Sequence, residues 1–243
     1  MTNDAFLIGC PVEFKKICLV YPPTVKQVLG TPEYELFNKF LTLSQEEIED
    51  EFVEHGKDMR DLLNPFEYLL NIAYNDSRLK LLIEQAFFFY VHEPVLILPE
   101  QKQIIIGELK DIKSVKNLRI LKEEDYFDFQ NLIRAASGEK EKEAPNPNED
   151  PRVKAVKAKA RYRDKIKAKK GMGLTRATLI ASISCMGLGL NPLNIGELSY
   201  AAIPVLIATY QEKEKYELDV ESLLAGADSK KVKPKYWIRN LEN

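Results

Sequence analysis

Catalysis requires an acid, a base, a nucleophile or a metal ligand, so the two histidines and three cysteines come first. His55 lies at an acidic helix end, and His92 closes an aromatic run before Pro94. Neither has Cys, Asp or Glu at a spacing that marks a metal site, so both read as surface or helix-end histidines. Cys10, Cys18 and Cys185 form no CxxC and no paired framework. They read as small buried hydrophobes in a reducing cytoplasm. Gly171-Met172-Gly173 and Gly187-Leu188-Gly189 lack the preceding strand and the Lys-Ser/Thr of a phosphate cradle, and read as helix terminators. The expectation is a protein that is not an enzyme, with no catalytic residue, no cofactor and no metal.

Binding chemistry is richer. Residues 152–170 carry ten basic residues and one acid, Asp164. On a helix they make a nearly all-round basic rod with a thin stripe of Ala155, Ala158, Tyr162 and Ile166. Such a rod can neutralise phosphates, meet an acidic protein surface or lie on an anionic membrane. Tyr162 is its only aromatic residue, too few for a single-strand stacking platform, and no DNA-docking motif is present. Protein docking ranks first, with Lys154, Lys157, Arg161 and Lys165 as the docking residues. Glu46, Glu47, Glu49, Asp50, Glu51 and Glu54 form a patch of opposite sign. In a homo-oligomer, the rod of one subunit could meet the patch of the next.

Residues 174–210 are the most apolar stretch. Ser182, Ser184, Asn191, Asn194, Glu197 and Ser199 interrupt it, which favours a buried helical hairpin over a membrane hairpin. Leu179, Ile180, Ile183 and Met186 lie on the first helix; Leu198, Ala202, Val205 and Leu206 lie on the second. They cover more than one stripe. The surplus needs a cover: the N-terminal part, another subunit or a client helix. In the C-terminal tail, Tyr236, Trp237 and Arg239 either pin the tail to its own domain or recognise a partner.

The elements that must position these groups follow from pattern and punctuation. The chain has 243 residues, 45% hydrophobic and 30% charged, with a formal net charge of −2. That supplies a core and excludes a surface tuned throughout for nucleic acid or anionic membrane. The first residues have neither a basic n-region nor a long apolar h-region, so no signal peptide is expected.

The expected fold class is mainly α with a small β component (α+β), in two parts. Residues 1–137 form an α+β N-terminal part, 138–151 a flexible linker with three prolines, and 152–243 a helical C-terminal part. Short strands are expected at residues 6–8 and 17–21. Helices are expected from a Thr31 cap with Pro32 behind it, from Ser44 in a capping box with Glu47, and from Asn64-Pro65. Leu79, Leu82, Ile83, Ala86 and Tyr90 mark another, and Tyr126, Phe129, Ile133 and Ala136 one more. Residues 95–98 and 103–107 read as a hairpin, with an extended piece at 118–121 joining it. In the C-terminal part, a helix capped by Thr175 runs to about Met186, and a longer one from about Ile195 is expected to kink or break at Pro204.

Tyr21-Pro22-Pro23-Thr24-Val25, a strand entering a helix start, is followed by Tyr34, Phe37, Phe40 and Leu41. This opening resembles that of tail assembly chaperones of long-tailed phages of Gram-positive bacteria. The ending Tyr236-Trp237-Ile238-Arg239-Asn240-Leu241 is similar to that kind of protein too. The resemblance implies a non-enzymatic helper in the host cytoplasm that binds the tape-measure protein, prevents its aggregation and recruits tail-tube subunits. A structural tail or baseplate protein, and a nucleic-acid-binding regulator using the basic segment, are the alternative readings.

Overall fold

The computed structural model describes residues 4–54, 63–107, 119–143, 153, 156, 160, 163, 176–187, 189–191 and 194–236. Most of these are helical, with two small antiparallel sheets, so the fold is mainly α with a small β component.

The chain opens with a helical turn, α1 (Asp4–Leu7), then a hairpin of β1 (Val12–Phe14) and β2 (Cys18–Val20). Residues 6–8 were expected as a strand; instead the start of this segment is helical. Phe6 is buried, and Gly9 (φ +79°) turns the chain out, its N–H bonding to the Phe6 carbonyl. The glycine stops the apolar run before it can extend.

α2 (Val25–Gly30) begins at Thr24, whose side chain and that of Gln27 make a reciprocal capping box. Thr31 closes this helix rather than capping the next one. α3 (Tyr34–Thr42) therefore starts two residues later than expected, and its N-cap, Glu33, makes no side-chain capping bond. α4 (Gln45–Glu54) follows Ser44, whose N–H and hydroxyl both donate to the Glu47 carboxylate. α5 (Pro65–Asn75) is capped by Asn64 with Pro65 at its first position, as its sequence predicts. α6 (Ser77–Val91) runs from an Asp76 cap to His92, which takes a left-handed conformation (φ 59°).

β3 (Val95–Leu98), β4 (Gln103–Ile106) and β5 (Arg119–Leu121) form a meander. α7 (Glu123–Ala136) crosses the body after it. The main core gathers Tyr34, Phe37 and Leu41 of α3, Phe66 and Leu70 of α5, Phe87 and Tyr90 of α6, Ile97, Ile104 and Leu121 of the sheet, and Phe129 and Ile133 of α7. Phe87 and Phe129 stack at 5.5 Å, and Phe14 meets Phe129 edge-on at the same distance.

The C-terminal part contributes α8 (Arg176–Cys185), a 3₁₀ turn (Ile195–Glu197) and α9 (Ala202–Leu224). Pro204 does not break α9. It falls in the first turn, where backbone N–H groups have no intrahelical acceptor, so its missing N–H costs nothing.

The two parts are in direct contact. The Val25 N–H donates to Leu198 O (2.9 Å), and the Tyr200 N–H to Pro23 O (2.8 Å). Between these rungs, Thr24 and Ser199 form an antiparallel bridge. The buried Ser199 hydroxyl donates to Phe6 O at 2.6 Å. A second core of Val25, Ile183, Ile195 and Ile203 spans both parts.

The expected linker also departs from expectation over its first half. The Lys142 N–H donates to the Asn131 side chain and the Asn131 amide donates to Lys142 O, both at 3.0 Å. The Lys142 ammonium reaches the Ser44 hydroxyl (2.8 Å) and Glu47 (3.1 Å). Composition misses this because the partners lie outside the segment. Residues 144–151 lie outside the described residues.

Gly138 has φ +72°, and a Cβ there would sit 3.1 Å from Pro204 and 3.2 Å from the Ala201 Cα. Gly138→Ala is expected to lower stability by about 1–3 kcal/mol. Urea denaturation of both proteins measures it. Gly9→Ala, with open space around it, should cost less.

Candidate functional site

Among the described residues, a cleft at the junction of the two parts and an apolar face on α6 have the shape or chemistry of a site. The cleft is lined by Tyr34, Glu35 and Asn38 of α3, Ser137, Gly138 and Glu139 after α7, and Tyr200, Ile203 and Pro204. It is open to solvent, with a volume of about 330 Å³.

A polar chain leads from the buried Tyr90 to the exposed Glu139 at the cleft. The Tyr90 and Ser137 hydroxyls lie 2.9 Å apart. Ser137 donates to Asn38 Oδ1 (3.0 Å), and the Asn38 amide donates to Glu139 Oε1 (2.5 Å). Burial raises the Tyr34 phenol to about 12 and the Tyr90 phenol well above its ordinary value, so both stay protonated at neutral pH. One consistent direction of donation runs Tyr90 to Ser137 to Asn38 to Glu139. It ends on a carboxylate held at the lip of the cleft.

Beside the cleft lies a buried cation. Arg134 is 2% exposed, and its Nη1 donates to the Asn131 side chain at 3.3 Å. Burial pulls its pKa down; Glu47, Glu139 and Tyr126 oppose the shift, and the guanidinium remains charged. Glu47 itself feels burial, which would raise its pKa, but the Ser44 hydroxyl and amide and the Lys142 ammonium outweigh it and hold it below the ordinary carboxylate value. Part of the expected acidic patch is thus neutralised within the chain. Glu51 likewise accepts from Lys39 (2.9 Å) and from the Tyr68 hydroxyl (2.8 Å).

The apolar face is on α6. Leu81, Gln85 and Phe88 follow helical spacing and are exposed, Leu81 at 60% and Phe88 at 52%. Phe89, half-buried beside them, lies 5.8 Å from Tyr34 and 6.0 Å from Phe37. On α3, Leu36 is exposed and Phe40 half-buried. Periodicity alone did not single out these residues, because the same aromatic run 87–90 supplies both the core and its surface.

The residues expected to bind a partner are distributed differently. Ile183 is fully buried, and Met186 and Leu198 pack beside it around Val25. Val25 of the N-terminal part meets Ile183 in this core, while Met186 and Leu198 stay half-buried at its edge. Val205 is half-buried on α9. Tyr236 is 57% exposed and meets Tyr216 edge-on at 5.6 Å, turning the tail back onto α9. Trp237, Arg239, Lys154, Lys157, Arg161, Lys165, His55 and the Leu179 side chain lie outside the described residues. Within the basic segment, Val153, Val156, Ala160 and Arg163 are helical and exposed.

His92 stacks on Tyr21 with ring centroids 4.2 Å apart, and burial lowers its pKa. Cys18 is buried, and burial pushes its thiol up to about 12. Cys10 and Cys185 are exposed, against expectation. Cys10 follows the Gly9 turn, and Cys185 ends α8 on the side away from Val25 and Ile183. Among the described residues, no group of three His, Cys, Asp or Glu could hold a metal ion, and no helix is long and apolar enough to cross a membrane.

No protein-family pattern, curated protein or solved structure matches this chain.

The Glu47 interactions favour its ionised form, so their contribution is present above the unfolded carboxylate pKa and fades as pH falls through the lower folded value. Glu47 is 42% exposed, and screening limits the effect. Glu47→Gln is expected to cost at most about 1 kcal/mol at pH 7. The deficit should shrink as the pH drops below the carboxylate range, as followed by denaturant titration across pH.

Proposed function

We propose that this protein is a non-enzymatic tail assembly chaperone. It would keep the tape-measure protein soluble in the host cytoplasm and recruit tail-tube subunits. The observation that carries this reading is the pair of large apolar side chains, Leu81 and Phe88, that α6 leaves more than half exposed on one face. Adjacent exposed apolar side chains on one helix face offer contact area to a partner. The half-buried Phe40, Leu82 and Phe89 and the exposed Leu36 add apolar surface that suits the apolar stripe of a helical client. The sequence resemblance at residues 21–41 and 236–241 points the same way. The basic segment serves as a protein-docking element, and Trp237 with Arg239 as a recognition tail.

Co-expression with a tape-measure fragment tests this. Leu81→Ser combined with Phe88→Ser should lose roughly 2–4 kcal/mol of client binding and leave the fragment insoluble. The body should be little changed, because surface substitutions typically shift stability by about 0.5 kcal/mol or less. Circular dichroism and the thermal midpoint check that. A variant that keeps its fold and still solubilises the fragment removes the α6 face from the client site. A chain cut after Ala227 tests the tail in the same assay: loss of solubilisation with fold intact makes Tyr236, Trp237 and Arg239 client contacts.

A further inference from the structure

After the Gly138 turn the chain folds back along α7. Residues 139–143 read Glu-Lys-Glu-Lys-Glu; none is apolar and none is buried. Polar contacts hold this strap down. The Glu139 N–H donates to Arg134 O (2.8 Å), and the Glu139 carboxylate accepts from Asn38. Lys142 exchanges its two backbone bonds with the Asn131 side chain, and its ammonium reaches Ser44 and Glu47. Lys142 and Glu47 are 38% and 42% exposed, so water and salt screen their attraction. A segment with exposed hydrogen bonds and no buried apolar side chain opens locally at low cost.

Beside the strap lies a donor and acceptor that do not yet meet. Arg134 Nη1 shares the Asn131 side-chain oxygen with the Lys142 N–H. Its Nη2 is buried and has no hydrogen-bond partner among the described residues, which is costly for a charged group. On α4, the Ser44 N–H, the Ser44 hydroxyl and the Lys142 ammonium all donate to Glu47 Oε2; among the described residues none donates to Oε1. Burial lowers the Arg134 pKa, and Glu47 is the largest of the charges opposing that shift. The carboxylate is therefore near the guanidinium while bonded to Lys142.

We propose that residues 139–143 are a releasable latch in which Glu47 exchanges partners: Lys142 while the strap is closed, Arg134 once it lifts. Lifting removes the ammonium from Glu47 and the Lys142 N–H from Asn131. The two Ser44 bonds keep Glu47 at the start of α4, so its carboxylate has only to turn Oε1 towards Nη2. A guanidinium is the better partner for a carboxylate, being planar and less strongly hydrated than an ammonium. Each state gives the carboxylate one cation, so the two can lie close in free energy, as a two-state element requires. Release also lets out residues 139–143, about 17 Å of extended chain, ahead of the basic segment. The latch rests on these contacts and not on the client-binding reading.

Native-state hydrogen exchange on the full chain tests the opening without any substitution. The Glu139 and Lys142 amides should exchange together, roughly tenfold or more faster than the Ile133 amide of α7, and with little response to dilute denaturant. If they exchange only as slowly as Ile133, the strap is part of the rigid body and the proposal is overturned. NMR of the guanidinium groups, with isotopically labelled arginine, tests the exchange of partners. Lys142→Met biases the latch towards open, and circular dichroism checks that the body stays folded. In that variant the Glu47 carboxylate should restrict rotation of the Arg134 guanidinium and split its Nη signals. Adding Glu47→Gln should collapse the splitting. Arg134 signals that Glu47→Gln leaves unchanged in the Lys142→Met background overturn the exchange.

Discussion

The fold depends on a seam two hydrogen bonds long. Val25 and Pro23 pair with Leu198 and Tyr200 across the antiparallel bridge between Thr24 and Ser199. The contact joins residues far apart in the chain, so its closure entropy must be met by what assembles around it. The second core does this: Val25, Ile183, Ile195 and Ile203 are each at most 4% exposed, and burying such a side chain is worth about 1.5–3 kcal/mol. Thr24 ties the seam to helix formation as well. The residue in the bridge is the same one that caps α2, so docking of the C-terminal segment and capping of the helix support each other.

Behind the seam, polar groups are buried where helices converge. Tyr90 and Ser137 are almost inaccessible, yet their hydroxyls find each other. Gln130 is buried on α7, one turn before Arg134, and its amide donates to Leu43 O at 2.8 Å. These bonds add modest net energy, but each would be costly to break from one side. Their effect is on register. α3, α6 and α7 carry apolar side chains that could slide past one another, whereas Asn38, Tyr90 and Ser137 meet in only one alignment.

What the sequence made legible was local. The Asn64-Pro65 start, the three-stranded meander and the α7 face of Tyr126, Phe129 and Ile133 all follow from periodicity and caps, and the structure has them. What it hid was long-range. Residues 138–143 look like solvated linker because their charges have no neighbour in sequence, while Asn131, Ser44 and Glu47 wait on α7 and α4. Ile183 and Met186 look like spare apolar surface because Val25, which shares their core, is about 160 residues away. The cleft was not legible, because its walls come from three separate stretches of chain. Phe88 sits in an aromatic run where nothing local distinguishes it from the buried Phe87.

The same long-range contacts decide how the basic segment is presented. Before it, Lys142 is tied to α7 and α4; after it, Ile180 and Ile183 pack against Val25. The chain between, residues 144–175, therefore has both ends on one body, and the entropy of closing that loop is spent when the seam forms.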